Sequence, residues 1–350
     1  MRFTFLLSST VHVRFLKRVE IIDNIESVDV RTFAFERKGS FPGKHVDFDM
    51  QLLGAISHES YLKRFGHILK AISKIKFGVK KTDVIYTFGL DMLFLGWISK
   101  LLSGNKNAKL VYEVGDIREI LLGDSLLNKI FRKLEQFLIK RINLLVVTSK
   151  AFYTEYFIKV QNAKYLQYQV IENKLDKNWL SNIQKSEHQK SQNSTFTIGY
   201  FGVLRCERTF EILKQVAQKA EGKIQIYIRG IAGVSNKQQL ETAKKTFGIT
   251  YGGAYVVPDD IPEMYNSVDM VWACYPYQGS KVGNWCWSRT IRFYESCFFK
   301  KPVFAQRGTE DCRAVEKYDI GVCLNLETVD ETVDYILSLT QNDLEKWNNN

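Results

Sequence analysis

Arg289, Arg292 and Glu295 recur at every third residue of RTIRFYESCFFKKPVFAQRG, a stretch whose pattern predicts a helix over 288–299 followed by a strand. That spacing places the three charges on one helix face. A carboxylate there can accept two neighbouring hydroxyls, one on each lobe. The alternative is a surface pair between Glu295 and Arg292. Upstream, IGYFGVLRCERTFEIL (198–213) reads as a strand to Gly202, a turn, and a helix from 208. Arg205 and Arg208 therefore arrive near a helix start, where backbone N–H groups and a guanidinium fork attract phosphate. A pair of solvated arginines is the competing reading. The turn is not G-x-G-x-x-G, which disfavours dinucleotide binding.

The first half carries its own candidates. VYEVGDIRE (111–119) ends a strand with two carboxylates, Glu113 and Asp116. Asp116 has the alternative of capping the next helix. SSTVHVRFLKR brings Ser9, His12 and Arg14 into the first strand-to-helix turn. Histidine titrates near neutral pH, but a lone one is as readily structural. Asp47-Phe48-Asp49 has D-x-D spacing but sits in the opposite half from Arg205 and Arg208. The cysteines, Cys206, Cys274, Cys286, Cys297, Cys312 and Cys323, form no C-x-x-C and no zinc spacing, so reduced thiols are expected.

These residues must be positioned by a globular scaffold. The chain has 350 residues, 45% hydrophobic and 25% charged, which excludes a disordered or fibrous chain. No uninterrupted apolar run is long enough to cross a bilayer. FTFLL near the start is too short for a signal peptide and reads as the first strand. Strand patterns at 2–9, 28–36, 83–89, 109–116, 143–149 and 165–174 alternate with helical ones at 58–78, 91–103, 124–141 and 150–160. After a polar stretch, the rhythm resumes with strands at 195–202, 223–230, 249–256, 268–275, 301–308 and 321–325. Helical patterns at 208–221, 236–246, 260–267, 288–299, 310–317 and 328–339 lie between and after them. Such alternation predicts parallel sheets. The fold class is α/β: a first domain at 1–177, a linker at 178–195 and a second domain at 196–350, each doubly wound and Rossmann-like. Two such domains would face a central cleft, with the last helix packing back on the first.

Charge is polarised between these halves. Residues 1–195 hold 31 Lys+Arg against 19 Asp+Glu, whereas 196–350 hold 18 against 19. The basic half calls for an anionic partner: a membrane, a phosphorylated ligand or nucleic acid. The stretch 58–81 has seven Lys/Arg, one Glu and apolar residues at helical spacing, as in a membrane-surface helix or in a core helix with a solvated basic face. Phe94, Trp97, Leu101 and Leu102 could add anchoring or belong to the core.

The segment R-x-x-E-x-x-x-x-x-K-P-V (Arg292, Glu295, Lys301-Pro302-Val303), preceded by a strand ending in Tyr-Pro, resembles the donor-binding segment of GT-B glycosyltransferases. Family 4, the retaining enzymes of bacterial surface polysaccharide synthesis, is the nearest match. Two departures stand out: Trp287 replaces the first Glu of the family's E-x7-E, and Lys300 replaces the Gly before KPV. The likeness continues in 198–213, in 135–157, in Ile171-Glu172-Asn173 ahead of the polar stretch, and in Gly308-Thr309-Glu310, similar to a donor-gating loop.

The resemblance implies sugar transfer, with retention, from a nucleoside-diphosphate sugar to a saccharide or polyprenyl-diphosphate-linked acceptor. Gly202, Arg205, Arg208, Lys281, Arg292 and Glu295 would bind the donor, and Ser9, His12 and Arg14 the acceptor. Asp116, His12 and Arg208 would take catalytic roles. No metal or other cofactor is expected, because two cations suffice for the diphosphate. A cytoplasmic protein is expected, peripheral to an anionic inner membrane through its basic half and without nucleic acid. Alternatives are a nucleotide-sugar epimerase or hydrolase of the same fold, and a basic nucleic-acid-binding α/β protein.

Overall fold

A computed structural model describes residues 1–37, 48–56, 61–175, 195–279, 281 and 283–348, with backbone alone at 37, 56, 61–65, 68, 69 and 234. The chain divides into two compact units, Met1–Glu172 and Asn173–Asn350. Apart from Thr195, most of the expected 178–195 linker lies outside the described residues.

The first unit is a parallel sheet of β1 (Arg2–Leu7), β2 (Asp29–Arg37), β3 (Met50–Ile56), β4 (Val84–Phe88), β5 (Lys109–Val114), β6 (Leu144–Val147) and β7 (Tyr168–Val170). Their order is β3-β2-β1-β4-β5-β6-β7, so the winding reverses between β1 and β4. Helices α1 (Val13–Asp23), α2 (Tyr61–Val79), α3 (Leu90–Ser103) and α4 (Leu126–Ile139) lie between the strands. The strands read as continuous apolar runs because such a sheet is buried on both faces; Phe5, Leu6 and Leu7 are all fully buried. The expected helix over 150–160 is a π-helical turn, Phe152–Ile158. Its Tyr156 hydroxyl donates to buried Glu135, as do Tyr112 (2.7 Å) and Gln161. β3 is a strand that the alternation of patterns did not reveal.

The second unit contains β8 (Phe196–Leu204), β9 (Ile224–Ala232), β10 (Ile249–Tyr251), β11 (Met270–Trp272), β12 (Val303–Gln306) and β13 (Gly321–Leu324). Their order, β10-β9-β8-β11-β12-β13, reverses between β8 and β11. One core cluster joins α5 (Glu207–Lys219), α6 (Lys237–Lys244), α11 (Val329–Ser338) and α12 (Gln341–Asn348) to the sheet. The other collects α7 (Ile261–Asn266), α9 (Ile291–Phe298) and α10 (Glu310–Tyr318), while α8 (Asn284–Trp287) is a short turn ahead of α9. This is a doubly wound sheet covered on both faces.

Leu344 and Trp347 of the last helix, α12, belong to the second unit's core beside Ile336. Three expectations change. β8 runs past Gly202, where the strand was expected to end, since pairing with β9 continues to Leu204↔Ala232. Arg289 precedes the helix rather than sharing a face with Arg292 and Glu295, because Thr290 caps α9 by accepting from the Phe293 N–H at 3.0 Å. Finally, Cys312 and Cys323 are joined in a disulfide, not reduced; α10 and β13 bring their Cα atoms to 5.4 Å, within bridging reach. Cys206, Cys274, Cys286 and Cys297 remain free.

Candidate functional site

In open α/β sheets, ligands bind outside the carboxyl ends of the strands at the switch point. In the second unit that point lies between β8 and β11. Gly202 has φ +103° and stands opposite Gly230, where a Cβ would come within 1.8 Å of the Gly202 carbonyl oxygen. Glycine at 230 lets the ends of β8 and β9 approach.

Beyond β8 the chain turns through Arg205 and enters α5. The buried Cys206 Sγ accepts from the Thr209 N–H (3.4 Å) and from the Tyr277 N–H (3.3 Å), so one sulfur ties the α5 start to the segment following β11. Three arginines gather here, each over an aromatic ring. The Arg205 guanidinium lies 4.9 Å from the Trp285 ring centre, Arg208 5.2 Å from Tyr277, and Arg292 5.5 Å from Tyr200. All three distances lie within cation–π range.

Their other commitments differ. Arg292 donates to the Phe201 carbonyl (3.1 Å) and the Cys274 carbonyl (2.9 Å), bracing the ends of the two switch-point strands. Arg208 donates to the Glu327 carbonyl (3.2 Å) and pairs with Glu211 (3.5 Å). Arg205 is exposed, and among the described residues no carboxylate pairs with it. An open groove of about 860 Å³ runs from Arg205 and Tyr277 past Arg208 and Lys214 to α6.

Glu295 is 4% exposed and accepts the Tyr265 hydroxyl at 2.5 Å. Burial pushes its carboxyl up, opposed by that hydrogen bond and by the Arg292 charge. The surface pair considered from spacing is therefore absent: Arg292 spends its donors on carbonyls, and Glu295 turns into the core. Replacing Glu295 by alanine would strand the buried Tyr265 hydroxyl, at a cost of about 1–3 kcal/mol. Lys281 is exposed beyond β11, with its backbone N–H on the Gln278 carbonyl at 3.4 Å.

In the first unit, the carboxyl ends of β1 and β5 bring Arg14 together with the turn at Asp116. Arg14 lies over Gly115 so closely that a Cβ there would meet its Nη1 at 1.2 Å. Only a glycine admits the guanidinium in this place. Asp116 follows and is exposed; it does not cap the next helical turn, whose N-cap is Arg118. His12 is the N-cap residue of α1 and stacks on Phe15 at 4.1 Å, while buried Ser9 accepts from the Val11 N–H at 3.4 Å. Glu113, the other carboxylate of that strand, is committed to the core by Arg18 (3.0 Å) and the Tyr86 hydroxyl (2.5 Å).

Asp47 lies outside the described residues, so the D-x-D pattern is described only in part. Among the described residues, metal-ligand atoms converge at Cys312, Glu316 and Cys323, where the two sulfurs are bonded to each other. Trp285, Tyr277 and Cys206 escaped sequence reasoning. The aromatic pair in NWCW is visible, but nothing in its spacing points to Arg205.

No protein-family model matches the chain. It is 28% identical over 321 residues to the succinoglycan biosynthesis protein ExoL of Rhizobium meliloti, covering 89% of this chain and 78% of that protein. Among solved structures it is similar to Anabaena HepE, crystallised with UDP, at TM-score 0.68 and 16% identity, covering 100% of this chain and 93% of that one. It is likewise similar to sucrose-phosphate synthase from Thermosynechococcus elongatus, at TM-score 0.69 and 13% identity, covering 99% and 92%. The two doubly wound units are thus those of the GT-B fold, which these structural neighbours share.

Proposed function

We propose that the chain is a retaining glycosyltransferase of exopolysaccharide synthesis. It would move a sugar from a nucleoside-diphosphate donor to a saccharide or polyprenyl-diphosphate-linked acceptor. The observation that carries this reading is Arg205: an exposed guanidinium, without a carboxylate partner among the described residues, beside Arg208 at the second unit's switch point. In the transition state the diphosphate gains charge as the sugar–oxygen bond breaks, and fixed cations stabilise that charge without reorganising. The Arg208–Glu211 pair is partly exposed, worth about 0–1 kcal/mol, so a doubly charged diphosphate readily displaces it. With two arginines at the leaving group, no metal is required. Gly202 and Lys281 would complete the donor side, with Arg292 and Glu295 bracing it from the core through the Phe201 and Cys274 carbonyls and Tyr265. Ser9, His12, Arg14 and Asp116 would orient the acceptor. Similarity to ExoL supports the polysaccharide assignment, and the UDP of HepE makes UDP-sugars the first donors to test.

A thermal-shift screen against UDP-, GDP-, ADP- and CMP-sugars is expected to raise the melting temperature selectively with one class, since a ligand that binds only the folded state stabilises it. No shift with any of them overturns the reading.

The same proposal places the acceptor at an anionic membrane. No described helix is long and apolar enough to cross a bilayer. The expected contact, 58–81, supplies α2, whose Ala71, Ile75 and Val79 are buried while Phe77 is exposed; the side chains of Leu62, Phe65, Ile68 and Leu69 lie outside those described. α4 is the stronger surface. Leu126 (76%), Leu127 (52%) and Ile130 (53%) are exposed among Lys129, Lys133 and Lys140. An apolar stripe within a basic fringe suits an anionic lipid surface. Leu126→Glu with Ile130→Glu is expected to lower co-sedimentation with phosphatidylglycerol-containing vesicles roughly tenfold, leaving nucleotide-sugar binding intact. Unchanged sedimentation would remove α4 from the proposal.

A further inference from the structure

We propose that Trp285 is a positioning residue that holds Arg205 over the diphosphate of the donor, with Tyr277 doing the same for Arg208. This rests on the glycosyltransferase reading above and adds what makes its cations effective. An exposed arginine samples many rotamers, and fixing it on binding costs entropy. Arg205 has no carboxylate partner among the described residues to fix it; its guanidinium lies over the face of Trp285 at 4.9 Å.

The ring is itself held from behind. Trp285 meets Tyr275 edge-on at 5.3 Å, and the Tyr275 hydroxyl is hydrogen-bonded to Ser288 Oγ at 2.7 Å. Ser288 in turn donates to the Asn284 carbonyl at 2.9 Å, closing the turn that carries Trp285. Tyr277, under Arg208, is fastened by its backbone N–H to the Cys206 sulfur that also caps α5. Tyr277 and Trp285 therefore form an aromatic floor under two arginines that follow the other switch-point strand, β8. Over Trp285 the Arg205 guanidinium is aimed while its N–H edges stay open to phosphate oxygens. A carboxylate partner, such as Glu211 provides for Arg208, would have occupied those edges and offset the charge.

Trp285 could instead stack on the base or the sugar. The two roles separate when UDP and uridine affinities are compared by calorimetry for the wild type, Trp285→Ala, Trp285→Phe, Arg205→Ala and the Trp285→Ala/Arg205→Ala double variant. If Trp285 acts through Arg205, Trp285→Ala weakens UDP about tenfold and leaves uridine unchanged, and the phenyl ring of Trp285→Phe restores most of the loss. The double variant is then no weaker than Arg205→Ala, because the two residues serve one contact. An equal loss for uridine, an additive double variant, or unchanged UDP affinity in Trp285→Ala each overturns the proposal. Trp285→Phe keeps the test open should the alanine variant fail to fold. Failure of the wild type to bind UDP or any other nucleoside diphosphate overturns the glycosyltransferase reading and this one together. Wild-type binding with an indifferent Trp285 overturns only the floor.

Discussion

Arg205→Ala is expected to lower kcat/KM for sugar transfer about 100-fold, and Arg205→Ala with Arg208→Ala about 1000-fold. The melting temperature of the single Arg205 variant should stay at the wild-type value. Losing one preorganised donor aimed at developing charge typically costs that first factor. Among the described residues the Arg205 side chain is engaged by its ring contact alone, so the loss belongs to function. Arg208 differs. It also ties α5 to the Glu327 carbonyl and to Glu211, so Arg208→Ala is expected to lose transfer and some stability together. Turnover with the UDP-sugar, measured beside a thermal melt, separates the two. Near-normal turnover in the double variant would remove both residues from the leaving-group role.

The second large effect concerns pH and stability. Asp311 is 1% exposed; its Oδ2 accepts the Thr290 N–H at 3.1 Å, and its Oδ1 is buried with no partner among the described residues. Burial pushes its carboxyl from 3.8 up to about 7, against the hydrogen bonds of Thr290 and the charges of Arg289 and Arg292. The folded state therefore keeps the proton over a window in which the unfolded chain has released it. Stability from this group is full below about pH 4, falls as pH rises, and is lost once pH passes about 7, a span worth roughly 4 kcal/mol.

Asp311→Asn cannot ionise. It keeps an acceptor for Thr290 but leaves one amide edge unpartnered, a pH-independent cost of about 1–3 kcal/mol. The variant should be less stable than the wild type near pH 4 and more stable above pH 7, so the two curves cross. Chemical denaturation across pH 4–8 checks this, with the other acids cancelling in the difference. Parallel curves would show that Asp311 ionises in the folded protein as it does in the unfolded one.

The parallel α/β character of both units was legible from the primary structure because strands buried on two faces are written as uninterrupted apolar runs between helical patterns. So was the local placement of Arg205 and Arg208 at a helix start, since a strand, a turn and an amphipathic helix are adjacent in the chain. What the primary structure could not show was partnership across distance. Arg292 and Glu295 look like a surface ion pair by spacing, yet the packing of α9 sends one to strand-end carbonyls and the other to Tyr265. Cys312 and Cys323 offered no recognisable pattern until α10 and β13 brought them to bonding distance. Arg14 needs Gly115, and Arg205 finds Trp285, only because parallel strands deliver their following turns to the same end of a sheet. Local patterning, read residue by residue, determined which elements form. The tertiary structure decided which charges are spent inside the fold and which remain for a ligand, because that choice depends on side chains the chain order keeps apart.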